Sequence, residues 1–284
     1  MQDPATGKTV VKRTLRDRVN TAAVLLTSRN RPSLQVEPAR VDPSDIVIAS
    51  YNVHKCIGVD RKFDPKRTVS VIAELGADLI AIQEADKRFG ERSGLLDLAL
   101  IEAECGLVPV PITALSSSGH GWHGNMLMMR KGSVLKVQQL KLPGVEPRGA
   151  LVVDIRFDVG HLRIVAAHFG LLKRSRAQQA RMILASIADD EKMPTLLIGD
   201  LNEWREGKRS SLASLQPVFD PTSGAVPSFP SRFPVLALDR VLGHPHELVT
   251  AISAHDTPLA RIASDHLPVK AHIDLRTVWE RHYK

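Results

Sequence analysis

The sequence predicts an α/β fold in which mixed β-sheets are covered by helices. Three observations predict it. Short apolar β-type runs outnumber the stretches with helical periodicity. Two of those runs, residues 150–157 and 161–168, are joined by Asp158-Val159-Gly160 as a hairpin, while others are separated by helical segments that suit crossover connections. Two helix candidates also carry recognisable stop residues, and one of them a start signal.

In chain order, residues 10–28 place Val11, Leu15, Val19, Ala22 and Leu26 at steps of three and four, with Lys12, Arg13, Arg16 and Arg18 on other faces. This pattern predicts a basic amphipathic helix, and packing against its own domain is favoured over an arm for nucleic acid or membrane. Pro32, Pro38 and Pro43 mark a linker. The first buried strand is expected at 46–50. Asp64-Pro65 forms an N-cap with proline at the first helical position; Val69, Ile72 and Leu75 line one face, and Gly76 ends the helix. Strand 79–83, a helix at 95–104 closed by Gly106, and strand 125–130 follow. After the hairpin come a helix at 174–188, a strand at 195–200, a Pro-rich loop at 217–234, and strands at 237–243, 248–255 and 268–275. The expected organisation is a basic N-terminal extension (1–44), one domain (45–276) and a C-terminal tail (277–284).

A chain of 284 residues with 43% hydrophobic and 24% charged residues has an ordinary globular composition, and one domain of this size is common among α/β and two-sheet proteins. The net charge of +7 is uneven: residues 1–44 hold eight Lys/Arg against four acids, supplying +4 of it. Such a balance draws polyanions without specifying which. Two cysteines, Cys56 and Cys105, suit a reduced protein better than a disulfide scaffold. With no secretory-type apolar segment and no run of about 18 apolar residues, the expected compartment is the cytoplasm.

Polar residues interrupt the apolar runs where strands should end. Asn52 follows the first strand, Glu84 the second, His168 the hairpin, and Asp200 the strand at 195–200, with Asn202 two residues on. Carboxylates and amides are costly to bury unpaired, so convergence on a hard divalent cation and a phosphate explains them better than packing. Glu84 is the best metal ligand, and oxygen donors favour Mg²⁺, with Mn²⁺ as the alternative. Asp200 can accept a proton from an attacking water, while the Asn202 amide can hold that water or a phosphate oxygen without repelling the anion. Asp239 can fix the tautomer of His266, which Asp265 precedes, and His168 can donate to a phosphate oxygen. Asn125 and Arg148 are further candidates for the substrate side. His120 and His123 lie in a glycine-rich loop without a third zinc ligand at a recognised spacing. No Gly-x-Ser-x-Gly elbow or Walker motif is present in the sequence.

The ordered segments Ser50-Tyr51-Asn52, Ile82-Gln83-Glu84, Ala167-His168, Gly199-Asp200-Leu201-Asn202, Leu238-Asp239-Arg240 and Ser264-Asp265-His266 together resemble the endonuclease/exonuclease/phosphatase superfamily. The resemblance implies a four-layer α/β-sandwich, two mixed sheets face to face with helices outside and the site at one rim. It also implies Glu84 as principal Mg²⁺ ligand, with Asn52 and Asp265 in support. Asp200 and Asn202 would act on the water, Asp239 and His266 would form the carboxylate–imidazole pair, and His168 would stabilise the transition state. His168 disfavours the abasic-site branch, and Glu203-Trp204 departs from the inositol-polyphosphate phosphatases. The implied activity is hydrolysis of a phosphodiester, with nucleic acid the first substrate and phospholipid headgroups or small phosphorylated molecules next. A non-catalytic nucleic-acid or membrane-binding module is the rival from another class.

Overall fold

The computed structural model describes residues 45–284, apart from Phe89 and residues 189–192. The expected helix at 10–28 and the linker lie outside the described residues.

Eleven strands among the described residues form two sheets. The first contains β1 (Ile46–Asn52), β2 (Leu79–Gln83), β3 (Val108–Pro109), β4 (Met126–Met129), β10 (Val249–Ala254) and β11 (Val269–Ile273), in the order β10-β11-β1-β2-β4-β3. The second runs sequentially through β5 (Ser133–Leu142), β6 (Arg148–Phe157), β7 (Gly160–His168), β8 (Thr195–Asp200) and β9 (Asp239–His244). Each sheet contains one parallel pair, β1 with β2 and β7 with β8, and the other pairs are antiparallel. Both are therefore mixed.

The parallel pairs arise where a helix carries the chain back. Helix α1 (Pro65–Leu75) links β1 to β2; the Asp64 side chain accepts from Arg67 N at 3.0 Å, and Gly76 ends the helix at φ 58°. Helix α3 (Lys173–Ile187) links β7 to β8. Helix α2 (Leu98–Cys105) begins three residues later than its apolar pattern suggests because Asp97, which accepts from Leu100 N at 3.0 Å, is the cap.

Because side chains alternate along a strand, each sheet has an inner and an outer face. Ile46, Ile48, Leu79 and Ala81 pack against Leu151, Val153, Ile164 and Ile198 between the sheets. The opposite face of the first sheet, with Tyr51, Ile80 and Ile82, packs on Val69, Ile72 and Ile101 from α1 and α2. On the second sheet, Val165, Ala167 and Leu197 pack on Ala180 and Ile183 of α3. The order is helix, sheet, sheet, helix, the four-layer sandwich expected from the resemblance.

Two segments differ from expectation. Strand β5 is an unanticipated edge strand: a register shift between Val134 and Lys136 breaks its alternation, and it is mostly exposed along Ser133–Gln139. At the C-terminus, helix α5 (Leu275–His282) replaces the expected strand end and tail. Asp274 caps it by accepting from Thr277 N at 2.9 Å, and Leu275 and Val278 join the inter-sheet core. A short helix, α4 (Ala260–Ala263), precedes Ser264.

Candidate active site

The two inner faces change from apolar to polar at one rim. Along β8, Leu196 and Ile198 face the core and Asp200 continues their face; along β1, Ile46 and Ile48 lead in the same way to Ser50 and Asn52. These ends meet across the sheets, where Asn52 Nδ2 donates to Asp200 Oδ2 at 3.0 Å. Strand pairing places His168 opposite Asp200, and Asp200 opposite Asp239, so three side chains share one row across β7, β8 and β9.

Gly199 makes that row possible. Its φ is 141°, and a Cβ there would lie 1.9 Å from the Ala167 carbonyl oxygen, so only glycine allows β8 this close to β7. Beyond the strand, Asn202 takes φ 52° and its backbone N donates to Asp200 Oδ1 at 2.9 Å. Its side-chain amide donates to Phe169 O at 3.0 Å, latching the loop after β8 to the loop after β7.

Asp239 Oδ2 lies 2.8 Å from His266 Nδ1 and accepts the Ser228 hydroxyl at 2.5 Å. His266 Nε2 then faces Asp200 Oδ2 at 3.8 Å, and His168 Nε2 lies 3.5 Å from the same oxygen. Burial opposes charge on His266, but Asp239 and Asp200 outweigh it and push its pKa up to about 10. Burial likewise raises the Asp200 carboxyl above its ordinary range. His168 is driven well below its ordinary range, first by burial and then by Arg148, whose Nη1 lies 2.9 and 2.8 Å from the two ring nitrogens. One imidazole is thus held charged and the other neutral.

The proposed metal ligands lie on the first-sheet side. Asn52 pairs with Gln83 in the β1–β2 register, bringing Glu84 next to it, and the Ser264 hydroxyl donates to Asn52 O at 2.7 Å, bringing Asp265 to its other side. The ammonium of Lys55 rests on the Glu84 carboxylate, and Asp265 Oδ1 lies 3.6 Å from His54 Nδ1. Two carboxylates and a carboxamide oxygen suit a hard divalent cation, and the lysine contact shows that the Glu84 carboxylate already accommodates positive charge. A second acidic group fits an ion less well: Asp200, Asp239 and His266 bring ligand atoms within 4.8 Å of one another, but Asp239 and His266 are already joined to each other.

Asn125 and Arg148 are both buried beside this cluster. Asn125 Nδ2 donates to Trp122 O and Gly149 O at 3.1 and 3.0 Å, while Arg148 is held by Glu146 as well as by His168. His120 and His123 form no metal-ligating group among the described residues; the His120 amide donates to Asp86. Both cysteines are free.

Sequence reasoning missed Lys55, the role of Ser228, and a buried pair behind the site. Arg176 Nη2 lies 3.2 Å from Glu203 Oε2, and both side chains are almost fully buried. Arg176 also donates to Ser211 Oγ at 2.9 Å and to Leu171 O at 2.6 Å. It therefore ties the loop following His168 to the loop following Asn202. The signal was a pair of charged residues within loops and helices next to the recognised segments, which ordinarily signifies surface.

A family model described as Endonuclease/Exonuclease/phosphatase family matches residues 49–266. A search among curated proteins gave no match. Among solved structures, an endonuclease/exonuclease/phosphatase from Beutenbergia cavernae is similar at 20% identity and TM-score 0.59, over 82% of this chain and 72% of that one. A family protein from Bacteroides thetaiotaomicron shares 17% identity at TM-score 0.60, covering 82% and 98%. D. rerio TDP2, solved in complex with single strand DNA product, shares 15% at TM-score 0.58, covering 81% and 99%. At these identities the likeness shows the fold. No helix among the described residues is long and apolar enough to cross a membrane.

Proposed function

The chain belongs to the Endonuclease/Exonuclease/phosphatase family, whose members are generally metal-dependent phosphoesterases, and from that premise we propose that it hydrolyses a phosphodiester by in-line attack of water, without a covalent enzyme intermediate. The observation that carries this reading is the buried row His168–Asp200–Asp239, with His266 bonded to Asp239 and Asn52 bonded to Asp200.

The roles follow from charge. Held as an imidazolium between two carboxylates, His266 is a proton donor to a phosphoryl oxygen and a poor base at neutral pH. Asp200, its affinity for protons raised by burial, takes the proton of the attacking water as the new O–P bond forms and the bond to the leaving oxygen breaks. Neutral His168, contacted by the Arg148 cation and 3.5 Å from Asp200, would stand beside a phosphoryl group bound there. Glu84, Asn52 and Asp265 would hold Mg²⁺, or Mn²⁺ in its place. When bound, the ion supplies Lewis-acid neutralisation of charge on the phosphoryl and leaving oxygens.

Nucleic acid is the first substrate in this reading. The net charge of +7 and the DNA product in the D. rerio TDP2 structure support it. The test is turnover of a synthetic aryl phosphodiester by the full chain, with Mg²⁺ and with chelator. We expect turnover lost in chelator and reduced about a hundredfold or more in Glu84→Gln and His266→Ala. Full turnover in either variant would defeat the assignment of these residues.

A further inference from the structure

The turn after β1 takes an uncommon path. His54, Lys55 and Cys56 have φ of 45°, 57° and 57° in succession, a left-handed run without a glycine. Single residues visit that region and runs of them are costly, so the surroundings must hold the turn in place. Its backbone is tied on both sides. Cys56 is fully buried and its N donates to Val53 O at 2.8 Å, Asp64 N donates to Cys56 O at 2.8 Å, and His54 N donates to Asn52 Oδ1 at 3.0 Å. What this run delivers is two side chains to the carboxylates assigned to the metal. His54 Nδ1 lies 3.6 Å from Asp265 Oδ1 but only 3.0 Å from Ile57 O, so the carbonyl is its nearer partner. The Lys55 ammonium rests directly on Glu84; it is the one cation paired with that carboxylate among the described residues, and the Glu84 side chain is 19% exposed.

The reaction described above gives Lys55 no part, although the fold spends backbone strain on placing it. We propose that Lys55 is a tethered stand-in for the divalent ion: its ammonium holds Glu84 until an ion displaces it, so that loading is an exchange of one cation for another and Lys55 sets the ion concentration at which the site fills. This rests on the assignment of Glu84 as a metal ligand. A largely buried carboxylate is costly to leave bare, and the ammonium removes that cost while keeping Glu84 oriented. Two cations crowded onto one carboxylate repel each other, so the ion and the ammonium compete for it. The ion carries twice the charge and draws on several oxygen donors, which lets it win at sufficient concentration. A lysine side chain is a point charge on a flexible four-carbon stem, so it can leave Glu84 by side-chain rotation with the turn unmoved.

The experiment is calorimetric titration of Mg²⁺ and of Mn²⁺ into the full chain without substrate, which requires no turnover. The parent is compared with Lys55→Met, Lys87→Met and Glu84→Gln, each checked by thermal melting; should Lys55→Met not fold, Lys55→Asn, a residue suited to left-handed backbone, replaces it. Lys55→Met is expected to bind both ions about fivefold or more tightly, the order of a partly exposed ion pair that no longer has to be broken. Lys87→Met, which removes a nearby charge that forms no ion pair with Glu84 among the described residues, is expected to bind as the parent does. The Lys55 ammonium signal in the NMR spectrum of the parent, identified by its absence from the Lys55 variant, should shift as Mg²⁺ saturates the site. Unchanged or weakened ion binding in the Lys55 variant, equal tightening in Lys87→Met, or an ammonium signal that stays in place overturns the exchange. Glu84→Gln separates the two possible failures. Parental affinity in that variant removes the metal assignment and the exchange with it, whereas binding lost there but unaltered in the Lys55 variant strikes the exchange alone.

Discussion

Replacing Arg176 by alanine should be among the most damaging single changes away from the reacting atoms. The guanidinium is 1% exposed and Glu203 is 0% exposed, so their attraction is little screened by solvent. The substitution removes the 3.2 Å contact to Glu203, the bond to Ser211 Oγ, and the donors to the carbonyls of Gly170 and Leu171. Glu203 is left buried with the Ser211 amide and hydroxyl and the Arg205 amide as hydrogen-bond donors, and with the exposed Arg205 guanidinium, 3.6 Å from its Oε1, as its remaining cation. Breaking one side of a buried ion pair costs about 3–5 kcal/mol, which at ~2–4 °C per kcal/mol for a domain of this size lowers Tm by roughly 6–20 °C. Urea denaturation and scanning calorimetry of Arg176→Ala, Glu203→Gln and the double variant measure the loss and the coupling. The double variant should recover part of the cost, because it no longer buries a carboxylate that has lost its buried cation. A loss below about 1 kcal/mol in Arg176→Ala, or simple additivity in the double variant, would refute the argument.

Gly199→Ala should cost about 2–4 kcal/mol, since the added Cβ meets a backbone oxygen that cannot turn away and the φ of 141° disfavours any other residue; an unchanged urea midpoint would contradict this. Asp239→Asn should lower kcat by about a hundredfold or more. It should also bring the His266 pKa down from about 10 towards its ordinary value, as followed by NMR titration. Asp78 is buried and accepts from Val47 N at 3.0 Å, with Lys131 and Arg130 at 2.9 and 3.1 Å; burial opposes its charge, but these donors hold its pKa below the ordinary value. A carboxyl depressed in the folded state stabilises the protein above the unfolded pKa of about 3.9 and loses that contribution as pH falls through the folded value. Asp78→Asn should therefore reduce stability at neutral pH and flatten the acid limb of the stability curve, measured by denaturation between pH values on either side of that window.

The strands that carry the site were legible because burial on both faces makes them nearly continuous apolar runs. Leu79–Gln83 and Thr195–Asp200 were placed with their observed bounds, and polar residues at such ends are conspicuous. The first helix was equally clear from Asp64-Pro65 and Gly76. Strand β5 was not, because an exposed edge has no need of an apolar pattern and its bulge shifts the period. Within the site, the Asp239–His266 pair follows the sequence expectation, but the destinations of the amide groups could not be read. Asn52 and Asn202 direct their amide nitrogens to Asp200 and Phe169, contacts fixed by how two sheets and two loops meet in space. For the same reason the pairing of Arg176 with Glu203 could not be read, because the two lie 27 positions apart in sequence.

Asn52 belongs to one sheet and Asp200 to the other, and 148 positions of chain separate them. The proposed catalytic centre is thus a seam between two halves, each of which could be fully hydrogen-bonded within itself and still inert. A slight slide of one sheet across the other would part the amide from the carboxylate while leaving every ladder intact. Catalytic competence should then emerge only with the final docking of the layers during folding, and be the earliest property to vanish when that docking loosens.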